Sequence, residues 1–305
     1  MSKSSSARAL VMGMILLTLV TTLAACGTSS SVSAGSGSSN KLSLKELRLG
    51  LIPLENAQQE ISDTTPLANL LSAKLGVPVK LTVGTNYTAT IEALASNKLD
   101  VAWFGPFSYI LANSKYGVKA ILRQLTFDGS STYNSLIITR PDSGIKTLAD
   151  LKGHSFSYVD PASTSGNLVP RYTLVKAGLD PDKDVKGVFS GSHVASLTAV
   201  LSKKVDAGAV ASDTFAQQMA KGTFKQGDLI VVSTSFDIPQ SPLGVRKDMS
   251  ASDATLVQSA FLSITDKDAL MKAGAGGFIP GRDSDYDGLR DVARQLNIDV
   301  AKLVQ

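Results

Sequence analysis

The chain has 305 residues, 43% hydrophobic and 18% charged, with a formal net charge of +4. That composition excludes wholesale disorder and suits one large domain or two α/β lobes of ~100–150 residues each. The 30 Lys and Arg nearly balance the 26 Asp and Glu, so no concentrated basic face points to nucleic acid. One cysteine and two histidines exclude a disulfide framework and a Cys-based zinc site.

Lys3 and Arg8 precede an apolar run from Ala9 to Val20, too short to span a bilayer alone. Leu23-Ala24-Ala25-Cys26 follows. Small residues at 24 and 25 fit a signal-peptidase cleft, and the cysteine directly after them resembles a bacterial lipobox, in which the thiol is lipidated. Gly27 to Asn40 is rich in Ser and Gly and reads as a flexible tether. The alternatives are an ordinary secretory signal with a chance cysteine, or a poor transmembrane helix. The expectation is a signal peptide over 1–25, lipidation at Cys26, a tether over 26–43, and a folded part working outside the cytoplasm, held to the membrane by its lipid.

From there, strand and helix signals alternate, which argues α/β with mostly parallel strands. Leu47–Ile52 reads as a strand. Pro66–Leu75 reads as a helix stopped by Gly76 and Pro78. Val79–Val83 is a strand, Ala89–Ala95 a helix, and Asp100–Phe104 a strand ending in Gly105-Pro106. Thr147–Gly153 reads as a short helix. About one hundred residues further on the order recurs, with a strand at Ser155–Val159, a helix at Leu168–Ala177, a strand at Val185–Phe189, a helix at Val194–Leu201 and a strand at Asp206–Val210. Tyr87–Asp100 aligns with His193–Asp206 without a gap, so Tyr87 and His193 occupy equivalent places before equivalent helices. Duplication or shared packing needs would both produce this match.

Two α/β units with equivalent helix-start loops suggest a bilobal clamp, because ligands of open α/β sheets sit beyond the carboxyl ends of the strands. Ser135–Thr139 and Leu243–Val245 read as the segments crossing between lobes. Lobe 1 is then about 44–140 plus 245–305, and lobe 2 about 141–244. Near the C-terminus, Ser252–Ala273 reads as one helix with Ser252 as N-cap, Leu289–Leu296 as another, and Asp283–Gly288 as a loop, since no glutamate completes a calcium site.

The most informative segment is Asp160-Pro161-Ala162-Ser163-Thr164-Ser165-Gly166, between a strand and a helix. Three hydroxyls ahead of a helix start can turn O–H and backbone N–H groups on one anion, aided by the helix dipole. Ordinary capping needs only one of them. His193 can donate N–H to an oxyanion or simply cap its helix. Tyr87 can donate its phenol or sit in the core, and Tyr133 can face the cleft. Asp213, after a strand, can accept a proton from a ligand oxygen or pair with an ammonium; it can also be an N-cap. Some aromatics of Trp103–Tyr109 line the pocket and others are core. His154 reads as surface.

With Leu99–Pro106, Thr147–Gly153, Pro161–Gly166 and His193, the chain from about Leu47 to Asp248 resembles the substrate-binding lipoproteins of phosphonate/phosphite ABC importers. The resemblance implies a bilobal periplasmic-binding-protein-like (type II) clamp with two mixed-sheet α/β lobes and a two-segment hinge. It implies that Ser163, Thr164, Ser165 and His193 hold the oxyanion, that Tyr87 and Tyr133 match family tyrosines, and that Asp213 matches a family carboxylate. Family members taking aminoalkyl phosphonates carry a second acid after Ile-Pro, where this chain has Ile238-Pro239-Gln240-Ser241-Pro242 and therefore Ser241. That departure points to phosphite or a small uncharged-tail phosphonate such as methylphosphonate. Expected partners are that small phosphorus oxyanion and an ABC permease with its ATPase; no cofactor, metal or nucleic acid is expected, and the default state is a monomer. Two other readings stay open: an exported hydrolase acting on phosphorus esters, for which no Gly-x-Ser-x-Gly elbow or metal cluster is present, and a sensory binding lipoprotein without transport.

Overall fold

The computed structural model describes residues 41–303. The expected signal peptide, Cys26 and the tether up to residue 40 lie outside the described residues. Within them the chain runs β1 (Leu47–Leu51), α1 (Ala57–Leu75), β2 (Val79–Val83), α2 (Tyr87–Ala95), β3 (Val101–Trp103), α3 (Pro106–Tyr116) and β4 (Lys119–Leu125). It continues through β5 (Thr132–Tyr133), β6 (Ser135–Thr139), β7 (Ser155–Tyr158), α4 (Val169–Lys176), β8 (Lys186–Phe189), α5 (His193–Leu201), β9 (Ala207–Ala211), α6 (Ser212–Ala220) and β10 (Ile230–Thr234). It ends with β11 (Ile238–Pro239), β12 (Pro242–Val245), α7 (Ala251–Leu262), α8 (Lys267–Lys272), β13 (Gly277–Pro280) and α9 (Asp287–Gln295).

Two mixed sheets define two lobes. The first has the order β13-β4-β12-β3-β1-β2 and the second β10-β6-β9-β7-β8. In the first, β1 pairs in parallel with β2 and β3, and β12 runs antiparallel to β3 and β4. In the second, β7 pairs in parallel with β8 and β9, and β6 runs antiparallel to β9. A small antiparallel ribbon, Ile238 opposite Tyr133 and Pro239 opposite Thr132, stands between the sheets. The crossing segments therefore differ from the expectation. Ser135–Thr139 is a full member of the second sheet and Leu243–Val245 of the first; the chain crosses at the β5 and β11 ribbon, just ahead of each. Both strands are buried throughout and mainly apolar, which is the signature of a central strand rather than of an exposed crossover.

The aligned stretches fold alike. Asn86 caps α2 by accepting from Ala89 N–H at 2.7 Å, and Ser192 caps α5 by accepting from Ala195 N–H at 3.1 Å. Both helices end in serine followed by a residue with positive φ, Asn97 at 57° and Lys203 at 61°. Asp100 accepts from Arg48 N–H at 2.9 Å, and Asp206 from Ser155 N–H at 3.0 Å, tying each third strand to its first.

Other boundaries moved for local reasons. Asn56 Oδ1 accepts from Gln58 N–H and starts α1 at Ala57, so Pro66 lies inside the helix instead of opening it. The face that sets the helix is Leu67, Leu71 and Leu75, all buried. Residues 252–273 form two helices, α7 capped by Ser250 and α8 capped by Asp266, not one capped by Ser252. Thr147–Gly153 holds only one tight turn, and Asp283–Tyr286 is likewise a single turn, with Tyr286 buried against Tyr109 at a centroid distance of 5.2 Å. His154 is half-exposed and its Nδ1 lies 3.2 Å from Asp206 Oδ2. Among the described residues no helix is long and apolar enough to cross a membrane.

Candidate functional site

The strand-to-helix loops of both lobes meet at one place. After β7, residues 159–163 lead into a single wide π-helical turn, Thr164–Leu168, before α4. Ser163 caps that turn, its Oγ accepting from Gly166 N–H at 3.1 Å. The turn needs glycine at 166, because a Cβ there would lie 2.3 Å from Val159 Cβ and 2.7 Å from Ser163 Oγ. Asp160 braces the loop from below, with Oδ1 accepting from Ala162 N–H at 2.8 Å. Its Oδ2 accepts from Tyr87 N–H across the lobes at 3.4 Å. Burial pushes the Asp160 carboxyl up, against the pull of these two backbone bonds.

The same loop is engaged by α3 of lobe 1. Gly105, two residues past β3, is the N-cap residue of α3 and Pro106 opens the helix, as proline commonly does. The freed Phe107 N–H donates to Thr164 Oγ1 at 2.8 Å. A hydroxyl that accepts from an N–H keeps its own proton to give. Ser163 and Thr164 are thus both set as donors. Thr164 and Ser165 are also the first two residues of the turn, so their N–H groups have no acceptor within it.

His193 opens α5 and is buried. Its Nδ1 accepts from Ala211 N–H at 3.1 Å, which places the ring proton on Nε2. Burial lowers its pKa to about 4, so the ring is neutral at physiological pH and offers one N–H. Tyr87, at the equivalent place in lobe 1, is also buried, and its Oη has no hydrogen-bond partner although it lies beside Ser163. Tyr133, on the ribbon, lies against Ser165 and Thr164. Burial drives both phenols up, so both keep their protons to donate.

Asp213 stands in the first turn of α6, where Ala211 is the N-cap residue; the capping alternative for Asp213 therefore falls. Its Oδ2 accepts from Gln240 Nε2 at 2.5 Å and its Oδ1 from Ser212 Oγ at 3.3 Å. Burial raises its pKa against both bonds.

All seven expected residues, Tyr87, Tyr133, Ser163, Thr164, Ser165, His193 and Asp213, line one cavity of about 80 Å³. A water needs roughly 10–15 Å³ on that measure, so the space suits a guest of a few heavy atoms. No lysine or arginine lines it, and Asp213 carries the one formal charge. Neutral donors surround a single acceptor, an arrangement that suits an oxyanion bearing one proton. Gln240 was not foreseen as part of the site, Asp160 entered only as the first residue of the hydroxyl loop, and Phe107 only as one of the aromatics of 103–109. Gln240 was readable only as a neighbour of Ser241, and Phe107 acts through its backbone, which leaves no mark in a residue pattern. Of the aromatics at and after β3, all are buried; Trp103 and Phe104 also wall an adjoining space, and Trp103 donates Nε1–H to Gln124 at 3.0 Å. Among the described residues no group of His, Cys, Asp or Glu could hold a metal ion.

The family model for the periplasmic substrate-binding protein of the phosphonate ABC transporter matches residues 49–286. The "Phosphate-import protein PhnD" of Mycolicibacterium smegmatis is 30% identical over 271 residues, covering 81% of this chain and 84% of its own. The "Phosphonates-binding periplasmic protein" of Escherichia coli is 28% identical over 257 residues, covering 82% and 76%. Among solved structures, PhnD1 of Prochlorococcus marinus in complex with methylphosphonate superposes with a TM-score of 0.75 at 25% identity, covering 83% of this chain and 98% of that one.

Proposed function

The chain belongs to the family of periplasmic substrate-binding proteins of phosphonate ABC transporters, and from that premise we propose that its guest is phosphite or a small uncharged-tail phosphonate such as methylphosphonate. As a family member it is a binding component of an importer, not an enzyme, and it works outside the cytoplasm with a permease and its ATPase. The observation that carries the choice of guest is the donor set itself. Ser163, Thr164 and His193 each accept from a backbone N–H, which leaves each with a proton of its own to donate. Burying an anion is unfavourable unless its oxygens are hydrogen-bonded, and these groups supply that bonding without a counter-charge. Asp213 takes the remaining proton on the guest, so a singly protonated oxyanion fits and a fully ionised one is repelled. The methylphosphonate complex of the Prochlorococcus marinus protein supports the same class of guest.

Binding proceeds by closure of the lobes about the β5 and β11 ribbon. Closure brings Phe107 N–H to Thr164 and Tyr87 to the 160–166 loop, removing water from the charge. Cys26 carries the lipid that tethers the protein; loss of labelled palmitate in Cys26→Ala tests this. Phosphate is the second reading, favoured by the name of the Mycolicibacterium smegmatis relative. Calorimetry with phosphite, methylphosphonate, aminoethylphosphonate, hypophosphite and phosphate decides. The tightest binding is expected for phosphite or methylphosphonate; a preference for phosphate selects the second reading, and no heat with any of them overturns both.

A further inference from the structure

The hinge sends one side chain to the cavity. Gln240 stands between β11 and β12, is 1% exposed, and has every polar group in use. Its backbone N–H donates to the Ser131 carbonyl at 2.9 Å, and its carbonyl accepts from the Tyr286 phenol at 3.1 Å. Its Oε1 accepts from Ser241 N–H at 3.1 Å, and its Nε2 donates to Asp213 Oδ2 at 2.5 Å. Chemistry fixes which way the amide points. The Ser241 N–H can only donate, and a carboxylate can only accept. A residue rooted in the hinge thus grips the acceptor of the second lobe.

The identity of that residue decides what Asp213 can do. A neutral donor on Oδ2 leaves the carboxylate its full single charge and leaves Oδ1, weakly held by Ser212 at 3.3 Å, to meet a guest. A glutamate at 240 would set a second negative charge against the first, the pairing that an ammonium requires. An apolar residue would leave a buried carboxylate without its donor, and such a group takes up a proton and becomes a donor itself. We propose that Gln240 is a specificity-determining, positioning residue: it holds Asp213 as a one-charge acceptor and so selects guests with an acidic proton and no cationic tail. This rests on the reading that a phosphorus oxyanion occupies the cavity.

The test is a calorimetric panel of methylphosphonate, 2-aminoethylphosphonate and sulfate on the full folded protein. Sulfate carries no proton near neutral pH and so reports on the acceptor role. Relative to wild type, Gln240→Glu is expected to shift the affinity ratio about tenfold or more toward aminoethylphosphonate. Gln240→Leu is expected to raise sulfate relative to methylphosphonate by a similar factor. A substitution that only loosened the hinge would weaken every guest alike and leave both ratios fixed. Ratios within about twofold of wild type in both variants, with wild type still binding methylphosphonate, overturn the inference alone. Should Gln240→Glu fail to fold, the sulfate ratio of Gln240→Leu decides by itself. A wild-type protein that binds no phosphorus oxyanion removes the reading of the site and the inference with it.

Discussion

Tyr87 and His193 open equivalent helices in two copies of one strand-helix-strand unit, yet they meet different surroundings. In lobe 2 the first strand is followed by the 160–166 loop, with one hydroxyl capping a wide turn and two more opening it, and the third strand is followed by Asp213. In lobe 1 the corresponding loops hold Ile52-Pro53-Leu54 and Gly105-Pro106. One lobe supplies most of the hydrogen-bonding side chains. The other supplies a phenol, a helix N-terminus and an apolar wall. The scaffold aspartates diverge as well. Asp100 is fully buried between Arg48, at 2.7 Å, and Arg246, at 3.1 Å, whereas Asp206 is partly exposed and pairs with His154. The same backbone can thus carry a largely apolar surface in one copy and a hydrogen-bonding one in the other.

The largest effect expected from this division lies in the lobe 2 loop. Ser163→Ala and Thr164→Ala should each cost about 1.5–3 kcal/mol of binding, the worth of a hydrogen bond to a charged group. Together they should weaken the guest more than a hundredfold by calorimetry. An unchanged affinity in the double variant would take the loop out of the site.

Stability should show the opposite asymmetry. Asp100→Ala leaves two guanidinium groups without their carboxylate and should cost about 2–4 kcal/mol by chemical denaturation. Asp206→Ala should cost about 1 kcal/mol, being more exposed. Burial favours the neutral form of Asp100, but the bonds from Arg48 and Arg246 outweigh it and hold the net pKa down. Its contribution is therefore present at neutral pH and fades as pH falls through the carboxylate range. Equal losses in the two variants would erase the contrast.

A pH test separates the two helix starts. The folded pKa of His193, about 4, lies below the ~6.5 of an unfolded histidine. Stability is then complete above about 6.5 and falls as pH drops toward 4, by up to about 3 kcal/mol, as the unfolded chain takes the proton first. His193→Gln should lower the denaturation midpoint at pH 7 relative to that at pH 5, compared with the wild type. If the variant keeps the wild-type slope, the ring is not held neutral.

The smallest effect comes from the lobe 1 partner and should change sign between states. Tyr87 Oη is buried without a partner, so Tyr87→Phe should leave the empty protein as stable or more stable by up to about 1 kcal/mol, while weakening the guest by about 1–2 kcal/mol. Loss of stability with no loss of affinity would make Tyr87 a core residue only.

Much of this was legible because it is local. The repeat was readable from apolar helix faces, from serine at the helix ends and from aspartates opening the third strands. The hydroxyl triplet was readable because capping alone does not need three. What was not legible depends on the other lobe. The bond from Phe107 N–H to Thr164, the brace of Asp160 on Tyr87 and the grip of Gln240 on Asp213 join residues far apart in sequence. The crossing points were misplaced because β6 and β12 are apolar strands beside a two-residue ribbon too short to leave a periodic signal.

A crystal structure of the protein grown with methylphosphonate tests the central claim most directly. The phosphonate oxygens should lie about 2.5–3.0 Å from Ser163 Oγ and Thr164 Oγ1 and slightly farther from His193 Nε2, with the protonated oxygen on Asp213. A phosphorus bound elsewhere, or one held chiefly by lysine or arginine, would contradict it.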